Sequence, residues 1–195
     1  MTSLALDQIR TMRGSEYAEC PSPQEALHSP QDCDAVRQDF LNAMSRRVSS
    51  VNLVVTDGPG GRFGLTVTCM NSITADPPMV MIGINRKSPL CDAVGENGSF
   101  TVNLLSTEQK HLADSFAGMG PDHARYDFSQ AKWHREHNNT LILSDSAAAV
   151  ACELVSFHDV GSHRLFMGRV VSAKQGGSPA LCYSERGYKC AQPMG

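Results

Sequence analysis

The stretch from Val51 to Leu105 does most to decide what this chain can fold into. It opens with VNLVVTD, turns through GPGGR, continues as FGLTVTCMNSITADPPMVMIGINRKSPL and closes with GENGSFTVNLL. Three runs of β-branched and apolar residues (51–57, 63–70 and 79–84) are separated by turn chemistry and a Pro-Pro pair, which predicts strands. Between them Thr66, Thr68, Asn71, Ser72 and Thr74 form a run dense in hydroxyls for a core segment. A row of hydroxyls and backbone amides where two strands meet suits a phosphate or a polyol chain. No charged residue is required, because oriented N–H groups in a turn already attract an anion.

The rest of the chain frames this stretch. Residues 1–31 are polar and proline-bearing without sustained periodicity, and read as a loose arm before a domain spanning 32–195. Val36, Phe40, Leu41 and Met44 share one helical face, with Asp32 or Asp34 available as a cap and Arg46 and Arg47 expected in the last turn. Asp57-Gly58-Pro59-Gly60-Gly61 joins two strands as a hairpin. It lacks the GK[ST] ending of a phosphate-gripping P-loop, and a strand follows where that loop has a helix. Ser88-Pro89 starts a short helix, with Ser at the cap and Pro at the first position, where a missing N–H costs nothing. Asn97-Gly98 turns into the next strand, and Ser106-Thr107-Glu108-Gln109 is a capping box for a helix running to about Ala117. Residues 118–130 read as loop. The last third reads as antiparallel sheet: a strand over 149–157, a partner from His163 to about Ala173, then the short strand ALCY.

Several strands in hairpin order with two or three helices predict a mainly β architecture, an antiparallel β-barrel with covering helices. No GxGxxG occurs, which argues against a Rossmann fold. A net charge of −3 gives no electrostatic reason to expect nucleic acid or an anionic membrane. The longest apolar run, MVMIGI, is too short to span a bilayer, and MTSLALDQIRTMRGSEY lacks the apolar core of a secretory signal. Seven cysteines, none in CxxC spacing, suggest neither a zinc site nor a disulfide framework. A cytoplasmic protein with reduced thiols is the simplest expectation.

The pieces GLTVTCMNSITADPP, INRKS and SFTVNLLS, with HDVGSHRLFMGRVV and PALCYSERGY further on, are ordered as in the short-chain flavin reductases. The chain resembles that family over roughly residues 36–190. These are small NAD(P)H:flavin oxidoreductases that supply two-component monooxygenases. The resemblance implies a flavin-binding split β-barrel, usually a homodimer, that reduces free FMN or FAD with NADH or NADPH. It also implies that reduced flavin diffuses to a flavin-dependent monooxygenase. Carried over position by position, flavin contacts fall on Thr66-Val67-Thr68, on Ser72-Ile73-Thr74, and on Asn85-Arg86-Lys87-Ser88. A further contact falls on Ser49-Ser50-Val51, where the family often has Thr-Gly under the flavin ring and this chain has Ser-Ser. His163 and Tyr188 match the nicotinamide side, although Ser162 stands where the family commonly has Asp.

Independently of the resemblance, the free N–H groups at the start of the Ser88 helix, beside Arg86 and Lys87, suit a phosphate. Thr66 and Thr68 are equally at home as ordinary β-branched strand residues, His163 as the first residue of a strand, and Tyr188 as packing. His134, Glu136 and His137 imitate a metal site, but no HExxH surrounds them, and they read as solvated loop. No GxSxG elbow supports a serine hydrolase. No metal and no protein-borne catalytic acid or base is expected, since hydride passes directly from nicotinamide to flavin. Two other functions use the same fold: a flavoprotein that keeps its flavin and oxidises a small molecule, and a flavin-binding module without turnover.

Overall fold

The computed structural model describes residues 30–120, 125–136 and 140–192. The chain forms two compact units that divide between Arg46 and Arg47. In the first, helix α1 spans Pro30–Ser45. Proline at the first helical position starts it earlier than the aspartates suggest, so Asp32 and Asp34 lie inside the helix. Arg46 and Arg47 fall beyond its last turn. The region read as an arm lies, apart from residues 30 and 31, outside the described residues.

The second unit is built on seven antiparallel strands: β2 (Asn52–Thr56), β3 (Phe63–Val67), β4 (Met70–Ala75), β5 (Pro78–Asn85), β6 (Ser99–Leu104), β9 (Ala148–Val160) and β10 (His163–Gln175). They are ordered β3-β2-β6-β9-β10-β5-β4. Strands β3 and β4 are therefore the two edges of the sheet, yet only Thr68 and Cys69 separate them in the chain. The sheet must roll until its edges meet, which gives the expected split barrel. The predicted strand 63–70 is two strands broken at this seam, and the polar run beyond it is a strand of its own.

Strand β2 is buried along its whole length because it packs on both faces. Val54 points into the barrel with Ile82, Ile84, Phe100 and Phe166. This interior is closed by Leu90, Cys91 and Val94 of helix α2 (Pro89–Asn97). Leu53 and Val55 point outward, under Leu112 and Phe116 of helix α3 (Lys110–Phe116) and Leu141 and Leu143 of β8 (Leu141–Leu143).

Local chemistry sets the helix ends as expected. Pro89 opens α2, Gly98 closes it in the left-handed conformation with φ of 65°, and both bonds of the Ser106–Gln109 capping box are present before α3. The predicted ALCY strand is β11 (Leu181–Ser184). It is flanked by two strands the sequence did not announce, β1 (Ser49–Ser50) and β12 (Gly187–Cys190), in the order β1-β11-β12. A short strand β7 (Trp133–Arg135) pairs with β8. His134 is thus a strand residue, which corrects the loop assignment, while His137 lies outside the described residues.

Candidate flavin and nicotinamide site

The seam between β3 and β4 organises the site. Gly83 of β5 lies under it: its N–H donates to the Cys69 carbonyl at 3.0 Å, and a Cβ on Gly83 would stand 2.6 Å from the Cys69 sulfur. Any larger residue here would displace the Cys69 side chain. The approach holds Thr68 at the surface, just after the last buried residue of β3, Val67.

The hydroxyls of the polar run are not equivalent. Thr66 donates to the Ala113 carbonyl of α3 at 2.9 Å. Thr74 is engaged with Asp76, accepting from its N–H at 3.1 Å and facing its carbonyl at 3.2 Å. Thr68 and Ser72 are exposed, and their hydroxyls have no hydrogen-bond partner among the described residues. A bulge between Ser72 and Thr74 leaves Ile73 out of register and 53% exposed.

A second group forms where the β5–α2 loop meets the β9–β10 turn. Gly161, with φ of 55°, allows the two-residue turn Gly161-Ser162, and the register then sets His163 opposite Asn85. The loop is folded on itself and on this turn. Lys87 N–H donates to Asn85 Oδ1 at 3.0 Å, and Arg86 N–H donates to the Ser162 carbonyl at 3.0 Å. Asp159 takes both arms of Arg164 at 2.6 and 3.0 Å and lies 3.8 Å from Arg86. The hydrogen bond from Arg164 holds the Asp159 carboxyl below the usual carboxylate range, against the opposing effect of burial. The Lys87 ammonium and the Ser88 hydroxyl have no partner among the described residues. Ser162 Oγ and His163 Nδ1 are 2.9 Å apart, and both residues are exposed.

A third group gathers on α3 and the small sheet. Ser49 pairs with Tyr183, which pairs with Tyr188. The Tyr188 hydroxyl donates to Asp114 Oδ1 at 2.9 Å. Ser50 is tied to the barrel by Asn52, a fully buried amide whose Nδ2 reaches the Ser50 carbonyl and hydroxyl, both at 3.1 Å, and the Val67 carbonyl at 3.4 Å. Val51 is 1% exposed, with its N–H and carbonyl both paired in the backbone. Val51 and Val67 are therefore scaffold under the site, and their side chains offer a ligand no surface.

Thr66, Thr68 and Ser72 are thus linked by one chain segment, Asn85 to Ser88 sit with His163, and Ser49, Ser50 and Tyr188 share the small sheet. Beside them, a cleft of about 370 Å³ separates Phe63, Gly64 and Leu65 of β3 from Ser88, Pro89 and Leu90, with Tyr126 and Phe128 as further walls. Ser88 is the one predicted residue that lines it.

Residues 44–192 match the flavin reductase like domain. The chain belongs to that family. The matched span includes every site residue named from the sequence, and this family member shares its split barrel with solved flavin reductases. An FMN reductase (NADH) RutF of Methylorubrum extorquens is 37% identical over 166 residues, 85% of this chain and 80% of the relative. The Variovorax paradoxus protein of the same name is 34% identical over 153 residues, 78% of this chain and 84% of the relative. Among solved structures, a candidate flavin reductase of Haemophilus somnus is 29% identical with a TM-score of 0.73, covering 79% of this chain and 98% of that one. The NADH:FAD oxidoreductase SgcE6 of Streptomyces globisporus, solved with NAD and FAD fragments, superposes with a TM-score of 0.71 at 21% identity, covering 86% of this chain and 98% of that one. At that identity the likeness concerns the fold alone.

In this flavin reductase family member, sequence reasoning missed Asn52, Lys110, Asp114 and Tyr183. Asn52 bonds Ser50 two residues away and Lys110 and Asp114 are four apart on one helix; what the sequence does not show is that this helix meets Tyr188, 74 residues beyond Asp114. Glu136 is ion-paired with Lys174, His134 Nε2 lies 3.3 Å from Glu136 and 3.1 Å from the Lys174 ammonium, and no cluster of metal-ligating residues occurs among the described residues.

Proposed function

We propose that the protein is an NADH-dependent flavin reductase that takes up free FMN or FAD and releases it reduced to a flavin-dependent monooxygenase. The observation that carries this reading is the contrast between committed and uncommitted groups at the seam and on the β5–α2 loop. Thr66 and Thr74 are used by the fold, whereas Thr68, Ser72, Lys87 and Ser88 present uncommitted hydroxyls and a cation on the surface. Three hydroxyls and an ammonium suit the ribityl chain and phosphate of a flavin. The relatives named as NADH-dependent FMN reductases support the choice of reactants.

Flavin supplies the hydride-accepting chemistry when bound. The chain's own contribution is placement. Thr68 and Ser72 donate hydrogen bonds, Lys87 and the α2 N-terminus balance a phosphate, and Arg86 is steadied by Asp159 and Ser162. His163, on the turn beside the β5–α2 loop, and Tyr188, on the small sheet, hold the nicotinamide nucleotide. Holding two reactants in one orientation is itself a large part of such a rate enhancement. Function as a homodimer in the cytoplasm belongs to the same proposal, and among the described residues no helix is long and apolar enough to cross a membrane.

The test mixes protein, NADH and excess free FMN and follows absorbance at the nicotinamide band. The expected result is consumption of many equivalents of NADH per protein chain. Oxidation of a single equivalent, with flavin remaining bound through gel filtration, would instead favour a flavoprotein that keeps its flavin.

A further inference from the structure

Three neighbours hold the phenol of Tyr188. Its hydroxyl donates to Asp114 Oδ1 at 2.9 Å, while the other oxygen of Asp114 accepts from Lys110 Nζ at 2.9 Å. That same ammonium lies 5.2 Å from the centre of the Tyr188 ring. Tyr183 meets the ring edge-on at 5.5 Å and 73°. An aspartate, an ammonium and a second aromatic ring thus fix one half-buried side chain in the short strand β12. A short strand alone would leave it free to turn.

We propose that Asp114, braced by Lys110, is the positioning residue for Tyr188 in binding the nicotinamide nucleotide. The inference rests on Tyr188 standing on the nicotinamide side, as proposed above, and adds how it is held and what it presents. Because Asp114 accepts, the phenol must donate to it. The tyrosine therefore offers a ligand its ring face and the remaining lone pair of its oxygen. Those features complement an electron-poor pyridine ring carrying an amide N–H. Burial first, then the Asp114 hydrogen bond and charge, push the Tyr188 phenol well above the ordinary tyrosine range. It stays protonated, and so stays locked, wherever the enzyme works. Helix α3 also receives the Thr66 hydroxyl on Ala113, the residue before Asp114, so one short helix braces both the flavin strand and the nicotinamide tyrosine.

The test uses the full chain in two measurements. In steady-state kinetics with NADH and FMN, Asp114→Ala is expected to raise KM for NADH about five- to ten-fold, leaving kcat and flavin affinity within about two-fold. Asp114→Asn, which keeps an acceptor, recovers most of that loss. Tyr188→Phe gives a similar rise alone and adds little on top of Asp114→Ala, as expected of two residues acting as one unit. In an alkaline absorbance titration, one of the four tyrosines ionises last, and Asp114→Ala returns it toward the others. An unchanged KM and an unchanged titration in Asp114→Ala, with Tyr188→Phe still raising KM, would overturn the positioning role alone. If Tyr188→Phe leaves KM for NADH unchanged, or weakens flavin instead, the nicotinamide placement of Tyr188 is wrong. Should Asp114→Ala fold poorly, Lys110→Met removes the brace and leaves the acceptor, and a modest rise in KM for NADH is expected, with Tyr188 ionising at still higher pH because the Asp114 charge has lost its compensating ammonium. No change in either would count against the proposal.

Discussion

Thr66 and Thr68 are two residues apart in the chain and identical in chemistry, yet the fold divides them. The Thr66 hydroxyl is spent on the Ala113 carbonyl, while that of Thr68 has no partner among the described residues. Thr66→Val should cost stability, about 1 kcal/mol for a net intramolecular hydrogen bond plus the unpaired carbonyl left behind. Its effect on flavin affinity should be small. Thr68→Val should do the reverse: unchanged melting, and flavin binding weaker by about ten-fold for a lost bond to a charged or strongly polar partner. Thermal melts and flavin titrations of both variants check the pair. Equal effects on affinity would put the two hydroxyls in the same role and undo the division. At this scale the sequence carried the residue types and their spacing, but it held no sign of which hydroxyl was already occupied. That depends on α3, some 47 residues further on, reaching back to β3.

At the scale of elements, local chemistry was legible and short strands were not. The Ser88-Pro89 start, the Gly98 stop and the Ser106–Gln109 box are decided by neighbours in the chain, and each appears where the sequence puts it. Strands β1, β7, β8 and β12, of two to four residues, carry no readable period and exist because a distant partner pairs with them. One such pairing has a measurable consequence. Asp57, at the end of β2, takes Arg62 at 3.1 Å and also Arg135 of β7, so a single carboxylate ties the first hairpin to the short β7–β8 sheet. Burial opposes its ionisation, but the hydrogen bonds and charges of the two arginines outweigh it and hold the pKa below the usual carboxylate range. A depressed acid stabilises the fold above its unfolded pKa, and that contribution fades as pH falls through the folded value. The tie should therefore be intact at neutral pH, begin to weaken as pH falls below the unfolded value of about 4, and be lost only below the lower folded value. Asp57→Asn should remove on the order of 1 kcal/mol at pH 7, about 3 °C in melting temperature for a chain of this size, and much less at pH 3. A mutant-to-wild-type difference that stayed constant from pH 7 to pH 3 would show that the carboxylate charge is not what holds the two elements.

For the whole molecule, the barrel was legible because its interior strands alternate or run continuously apolar, and the antiparallel order follows from short hairpins. The closure was not, since nothing in the sequence says that β3 and β4 become opposite edges. That arrangement leaves large apolar side chains on the outside. Ile73 is 53% exposed, Val155 42%, Phe157 36%, Val160 57% and Val171 43%, all on β4, β9 and β10. Val155 and Val160 on β9 and Val171 on the adjoining β10 are exposed apolar side chains that a partner would cover, and closed two-fold pairing is the commonest oligomeric arrangement. We therefore expect a homodimer. Light scattering at micromolar concentration should give close to twice the 21.1 kDa chain mass. Replacing Val155 and Val160 together by Lys should shift the mass toward one chain, because two buried charges per partner would face each other across a two-fold axis without a counter-ion. The same double variant should keep its far-ultraviolet circular dichroism, since both side chains already lie outside the core. A wild-type protein that scatters as a single chain while still oxidising NADH with free flavin would remove the dimer and leave the site intact. A double variant that remains dimeric would move the interface elsewhere, with the exposed stripe Val36, Phe40, Leu41 and Met44 of α1 the next surface to change.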